Sequence, residues 1–313
     1  MSGRVHWIDV AKGILIILMV INHIPNIANR CGVEMSYLRL YHIPAQIYTC
    51  FFMQAFFILS GFTTNFSKPQ NKYLIGLIKG IIIPWFSFAT ICDVIPYYLK
   101  YNTVFTNIDG VPYLIWLESY WFLSALFFSK LSYYFLKCTI KNRWTIFTIL
   151  LVFMIIGFGI NFHYNNNCDG LSDPSHYKNY LHYRNFMCMA LFIWIGDNIK
   201  DMFECKFAEK LMKWSVGTFI CFIMVYYIAR FAHSDCILLQ KIGYSHGTGL
   251  RSYYQIPLFI FYTTVGTISF LFLIKRYINR NTIIEYLGKN SIIVYCTHFS
   301  ILWIVIPILQ WGD

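Results

Sequence analysis

The sequence predicts an all-α, polytopic transmembrane helix bundle of about nine to ten spans, forming one domain over residues 1–313. Three observations carry this reading. Hydrophobic residues make up 58% of the chain and charged residues 12%, where soluble domains carry about 25% charged residues. That leaves too little polar surface to coat a water-soluble globule of this size. The apolar residues come in runs of about 20, long enough to cross a hydrocarbon core of ~30 Å as helix. The connections between runs alternate between rich and poor in Lys and Arg, the pattern of positive-inside loops. The net charge of +11 is therefore loop charge. It points to a lipid bilayer as partner and not to nucleic acid.

Spans are expected over 10–28, 43–64, 73–97, 115–136, 144–162, 184–199, 214–231, 253–274 and 290–309. The richer basic loops, such as that holding Lys206, Lys210 and Lys213, lie on the N-terminal side, so the N-terminus is expected in the cytoplasm. Trp7, Tyr73, Trp144, Trp214, Tyr253 and Trp311 fall near span ends, as interfacial anchors do. Two longer polar loops, 163–183 and 232–252, lie on the outer side, and loops of this length in a compact membrane protein are often functional. The ten cysteines include no CxxC pair and sit mostly inside apolar runs, as small packing residues do. Cys31, Cys168 and Cys236 share the outer side, where a disulfide is an open alternative.

Inside a bilayer a charged group costs about 2.5–3.5 kcal/mol, so a chain that keeps one usually has a partner or a polar cavity for it. The first run carries Asp9, Lys12 and His23, with no small-x-small site after it, and so does not read as a cleaved leader. Lys12 and His23 lie eleven positions apart. At about 100° per residue that is only ~20° past three turns, and Asp9 falls on the same face. The axial separation of Lys12 and His23 is ~16 Å, which puts Lys12 near the cytoplasm and His23 in the outer half. A snorkelling Lys and an interfacial His are the plain alternative. The second run ends Ser60-Gly61-Phe62, a pairing that suits close helix packing. The third holds Lys79 ahead of Pro84, which removes a rung of the helical ladder and allows an opening there. Glu118 enters the fourth span near the depth of His23, and His298 lies mid-membrane in the last. An interfacial Glu and a His bonded to a neighbouring helix are the structural readings of those two.

Taken together these segments resemble the acyltransferase-3 family of bacterial membrane O-acyltransferases. The matching pieces, in the family's order, are Lys12 and His23 with ten residues between them and the aromatic run Phe56-Phe57-Ile58-Leu59-Ser60-Gly61-Phe62. Then come Lys79 ahead of Ile83-Pro84-Trp85, Trp121-Phe122-Leu123 followed by Leu126-Phe127, and Leu287-Gly288, Ser291, Tyr295 and His298. The likeness covers nearly the whole chain and is closest to the stand-alone enzymes that acetylate sugars of surface polysaccharides. Family members often carry Arg where Lys12 and Lys79 stand, and Lys lacks the bidentate fork of Arg. They also usually show a tenth span.

The resemblance implies an acyl-CoA donor, most often acetyl-CoA, and a saccharide hydroxyl as acceptor, at the bacterial inner (cytoplasmic) membrane. On that reading Lys12, Ser60 and Lys79 hold the anionic donor from the cytoplasmic side. His23 is the general base, or carries the acetyl group transiently. Lys12 polarises the donor, with Asp9 one turn away to neutralise it. Glu118 and His298 are the candidates to orient His23 or touch the acceptor. The competing reading is a carrier or flippase for a polysaccharide precursor, which would use the same polar groups without acetyl-CoA. No metal is expected, since the nine His residues include no HExxH pair, and no GxGxxG or Walker-type loop occurs.

Overall fold

The computed structural model describes residues 5–31, 51–108, 111–114, 120–166, 183–203, 205–231, 255–278 and 280–310. Its helices are α1 (His6–Arg30), α2 (Phe52–Thr63), α3 (Gln70–Tyr101), α4 (Trp121–Thr139), α5 (Arg143–Asn166) and α6 (Tyr183–Asn198). They continue as α7 (Lys206–Lys213), α8 (Ser215–Phe231), α9 (Gln255–Tyr277), α10 (Thr282–Lys289) and α11 (Ser291–Gln310). Each of the nine expected spans meets one of these helices. Among the described residues, α1, α3, α5 and α9 each contain a segment long and apolar enough to cross a membrane, and α10 with α11 forms a fifth such stretch bent by 88°. The chain is thus a multi-pass helical membrane protein. One antiparallel hairpin, Phe105–Ile108 with Val111–Leu114, interrupts the helices, pairing Ile108 with Val111. Its sequence signal is Asp109-Gly110 between two β-prone runs.

Contacts divide the chain into two compact units, Met1–Leu59 with Asn198–Ser245 and Tyr254–Asp313, and Ser60–Asp197 with His246–Tyr253. In the first unit α1 lies against α10 and α11. Two glycines allow it. A Cβ on Gly13 would overlap the backbone of Ile284, and one on Gly288 the backbone of Asp9. Farther along, Ile27 and Ala28 of α1 bury against Leu302 and Ile306 of α11. The turn before α10 is capped by Asn281, whose side chain accepts from the Ile284 N–H at 3.1 Å. Around α8 and α9, Phe51 packs with Phe219, Phe222 and Phe270, and Gly266 leaves room for the Phe222 ring.

In the second unit α3 contains two widened π-helical turns, Ile78–Ile82 and Thr90–Val94. Each stands just before a proline, Pro84 and Pro96. A proline ring clashes with the carbonyl four residues back, and a widened turn relieves that clash without ending the helix. The opening expected at Pro84 therefore takes the form of a widened turn. Tyr73 stacks on Tyr134 of α4 at 3.9 Å and donates to the Lys130 carbonyl at 3.1 Å. Asp197 accepts from Tyr133 and Lys137 at 2.6 and 2.5 Å. A Cβ on Gly61 would overlap the Ile193 carbonyl, so the Ser-Gly step in α2 serves close packing, as its residue types imply.

Two of the expected interfacial anchors are exposed, Trp144 at 58% and Trp214 at 68%. Trp7 and Tyr73 are not: Trp7 stacks on Phe203 at 5.6 Å, and both are buried. Tyr253 and Trp311 lie outside the described residues, as do Cys168 and Cys236, while Cys31 is a free thiol.

Candidate active site

The site is built on α1. Its regular pitch carries Asp9, Lys12 and His23 in one unbroken helix, so the shared face expected from their spacing is retained. Asp9 is buried at 6% exposure, and Lys12 and His23 are half-buried. Pro25, two residues beyond His23, cannot donate its rung of the ladder.

What the helix alone does not supply is a partner for His23, and α11 brings one. The His298 ring centroid lies 5.0 Å from that of His23, with the rings tilted by 39°. Phe299 packs on both, at 4.7 Å from His23 and 4.3 Å from His298. His298 is only 3% exposed. Its Nδ1 sits 2.5 Å from the carbonyl oxygen of Tyr295, one turn back. A carbonyl only accepts, so Nδ1 carries the proton and Nε2 presents a lone pair. That Nε2 is buried and has no hydrogen-bond partner among the described residues. Two imidazoles beside one aromatic ring, one with a committed tautomer, place a ring-nitrogen acceptor next to His23.

At the other end of α1 a second cluster forms. His6 Nδ1 lies 2.8 Å from Glu285 Oε1, and Lys289 Nζ lies 2.5 Å from the same oxygen. Arg280 reaches toward the other His6 nitrogen at 3.5 Å. The Lys289 ammonium, and after it His6, hold the Glu285 carboxyl below the ordinary carboxylate range. The 88° bend turns α10 crosswise to α11, so this cluster lies off the axis of the last helix. Sequence reasoning did not single out His6 or Glu285. The i,i+4 spacing of Glu285 and Lys289 was visible, but nothing local links either to His6. Phe299 and Gly13 were likewise missed.

Ser60 and Lys79 belong to the second unit. Ser60 is half-buried, and its carbonyl accepts from the Thr64 hydroxyl at 2.6 Å near the end of α2. Lys79 is exposed, within the first π-helical turn of α3. Glu118 lies outside the described residues.

A family model described as an acyltransferase domain matches residues 5–310. No curated protein and no solved structure matches the chain. The matched stretch takes in α1 with Lys12 and His23, α3 with its widened turns, and α11 with His298. The chain belongs to the acyltransferase-3 family and is a membrane acyltransferase.

Proposed function

We propose that this enzyme moves an acetyl group from cytoplasmic acetyl-CoA to a hydroxyl of an envelope or cell-surface saccharide, at the bacterial inner membrane with its N-terminus in the cytoplasm. The observation that carries the proposal is His23, half-buried on α1 beside a second imidazole, on the same helix as Lys12. In this reading a nitrogen of His23 takes the proton of the sugar hydroxyl as its oxygen attacks the thioester carbonyl. The tetrahedral intermediate then expels the CoA thiolate, which receives that proton, so ester and free thiol are formed and His23 is regenerated. CoA is polyanionic, and Lys12 offers a positive charge about three helical turns away along α1, near ~16 Å, a span suited to an extended pantetheine arm. Glu118 remains a candidate to touch the acceptor.

The test is release of CoA thiol from acetyl-CoA by the purified chain in detergent, with and without candidate saccharides. His23→Ala should lower the rate by about 10²–10⁴-fold, the contribution of a positioned base. Lys12→Ala should raise the KM for acetyl-CoA. The roles expected for Ser60 and Lys79 are tested separately, by the KM of Ser60→Ala and Lys79→Ala. A folded wild type that releases no thiol with any acceptor, or a His23→Ala variant as fast as wild type, would defeat the proposal.

A further inference from the structure

The pairing of His23 with His298 has a second meaning. We infer that His298 is a positioning residue: in the reacting site its Nε2 accepts a hydrogen bond from His23, holding that imidazole in one orientation and one tautomer. The inference rests on the reading of His23 as the base.

Three observations support it. The Nδ1 of His298 is committed to the Tyr295 carbonyl of its own helix, which sets its tautomer and leaves Nε2 as an acceptor. That Nε2 is buried without a hydrogen-bond partner among the described residues. A buried acceptor left without a donor carries a desolvation cost that an apolar side chain of the same shape would avoid. A purely structural His at this place would therefore be a poor choice. Finally, the two ring centroids are 5.0 Å apart. An edge-to-edge N–H···N bond of about 3 Å puts two imidazole centroids roughly 5 Å apart, so the observed spacing admits that bond when a His23 nitrogen faces Nε2.

The chemistry then balances with His298 neutral throughout. His23 donates through one nitrogen to His298 and uses the lone pair of the other to take the hydroxyl proton. The imidazolium so formed is stabilised by the acceptor behind it, and it returns the proton to the departing thiolate. This is the general arrangement in which a base is oriented by a third group. Phe299, in contact with both rings, limits the motion of the pair.

The experiment compares His298→Phe and His298→Gln with wild type and His23→Ala, using acetyl-CoA thiol release and thermal melting of the full chain in detergent. Phe keeps a flat aromatic ring, somewhat larger than imidazole, and removes the acceptor, and Gln places a carbonyl oxygen near the position of Nε2. We expect His298→Phe to stay folded, to lose at least about 100-fold in kcat and to keep its KM for acetyl-CoA. His298→Gln should recover at least tenfold over His298→Phe. A purely structural role predicts a fall in melting temperature without that selective loss of kcat, and no rescue by Gln. His298→Phe with near-wild-type kcat, or a folded His298→Gln as slow as His298→Phe, overturns the inference while leaving His23 as base. A wild type without thiol release overturns the proposed function and this inference together.

Discussion

Replacing Gly288 by Ala tests how closely α1 is held. The added Cβ would overlap the Asp9 carbonyl oxygen and meet the Asp9 carbonyl carbon at 2.7 Å and the Gly13 nitrogen at 2.8 Å, where ordinary contact begins near 3.4 Å. All three atoms are backbone, so none can rotate away, and the helices must separate by more than the roughly 0.7 Å that the carbonyl carbon alone requires. Forced separation of a packed contact costs about 1–3 kcal/mol. It also has a functional reading, because α1 carries His23 and α10 leads directly into α11 with His298. A misplacement near 1 Å at a reacting centre costs on the order of 100-fold in rate. Gly288→Ala should therefore lower the melting temperature in detergent and slow thiol release from acetyl-CoA by ten- to a hundredfold, as an order of magnitude. Gly76→Ala and Gly217→Ala are the controls, since a Cβ at either meets nothing within 4 Å. There, relief of backbone entropy should leave stability unchanged or raise it by about 0.5–1 kcal/mol. A Gly288→Ala variant as stable and as active as these controls would refute the argument from close approach.

Other consequences follow from particular contacts. Asp197→Ala removes the acceptor shared by Tyr133 and Lys137 and should cost about 1–3 kcal/mol, mostly through Tyr133, because the Lys137 side chain is 37% exposed and its ion pair is screened; equal melting temperatures for Asp197→Ala and wild type would contradict this. Glu285 has a depressed carboxyl in the folded state, so its contribution is fully present above the ordinary carboxylate value of about 4.3 and is lost as pH falls through the folded value. Melting temperature should drop on acidification for wild type and do so less steeply for Glu285→Gln, and parallel curves would remove Glu285 from the account. Lys289→Met should lower stability at neutral pH by leaving Glu285 with His6 alone, and the loss should shrink in acid, where the carboxyl is protonated.

Much of the fold was legible in the sequence because its causes are local. A run of apolar residues long enough to cross a bilayer forms a helix wherever it occurs, since lipid offers the backbone no other hydrogen-bond partners. Each of the nine expected spans accordingly meets a helix. The common face of Lys12 and His23 follows from helical pitch alone. The hairpin at 105–114 was missed although Asp109-Gly110 announced it, because the membrane pattern around it dominated the reading. The anchors Trp7 and Tyr73 were misjudged because a span-end aromatic ring is equally suited to the interface and to stacking inside a bundle, as on Phe203 and Tyr134.

By itself the sequence determined the class of protein, a multi-pass helical membrane acyltransferase, and the residues of α1 that face one way. Only the tertiary structure decided what they face. His23 beside His298, His6 on Glu285, and Gly288 against Asp9 each join residues more than 270 positions apart. No propensity or periodicity acts over that distance. Such pairs are chosen by which helix backbones can approach closely enough to pack, and that choice depends on all the helices at once.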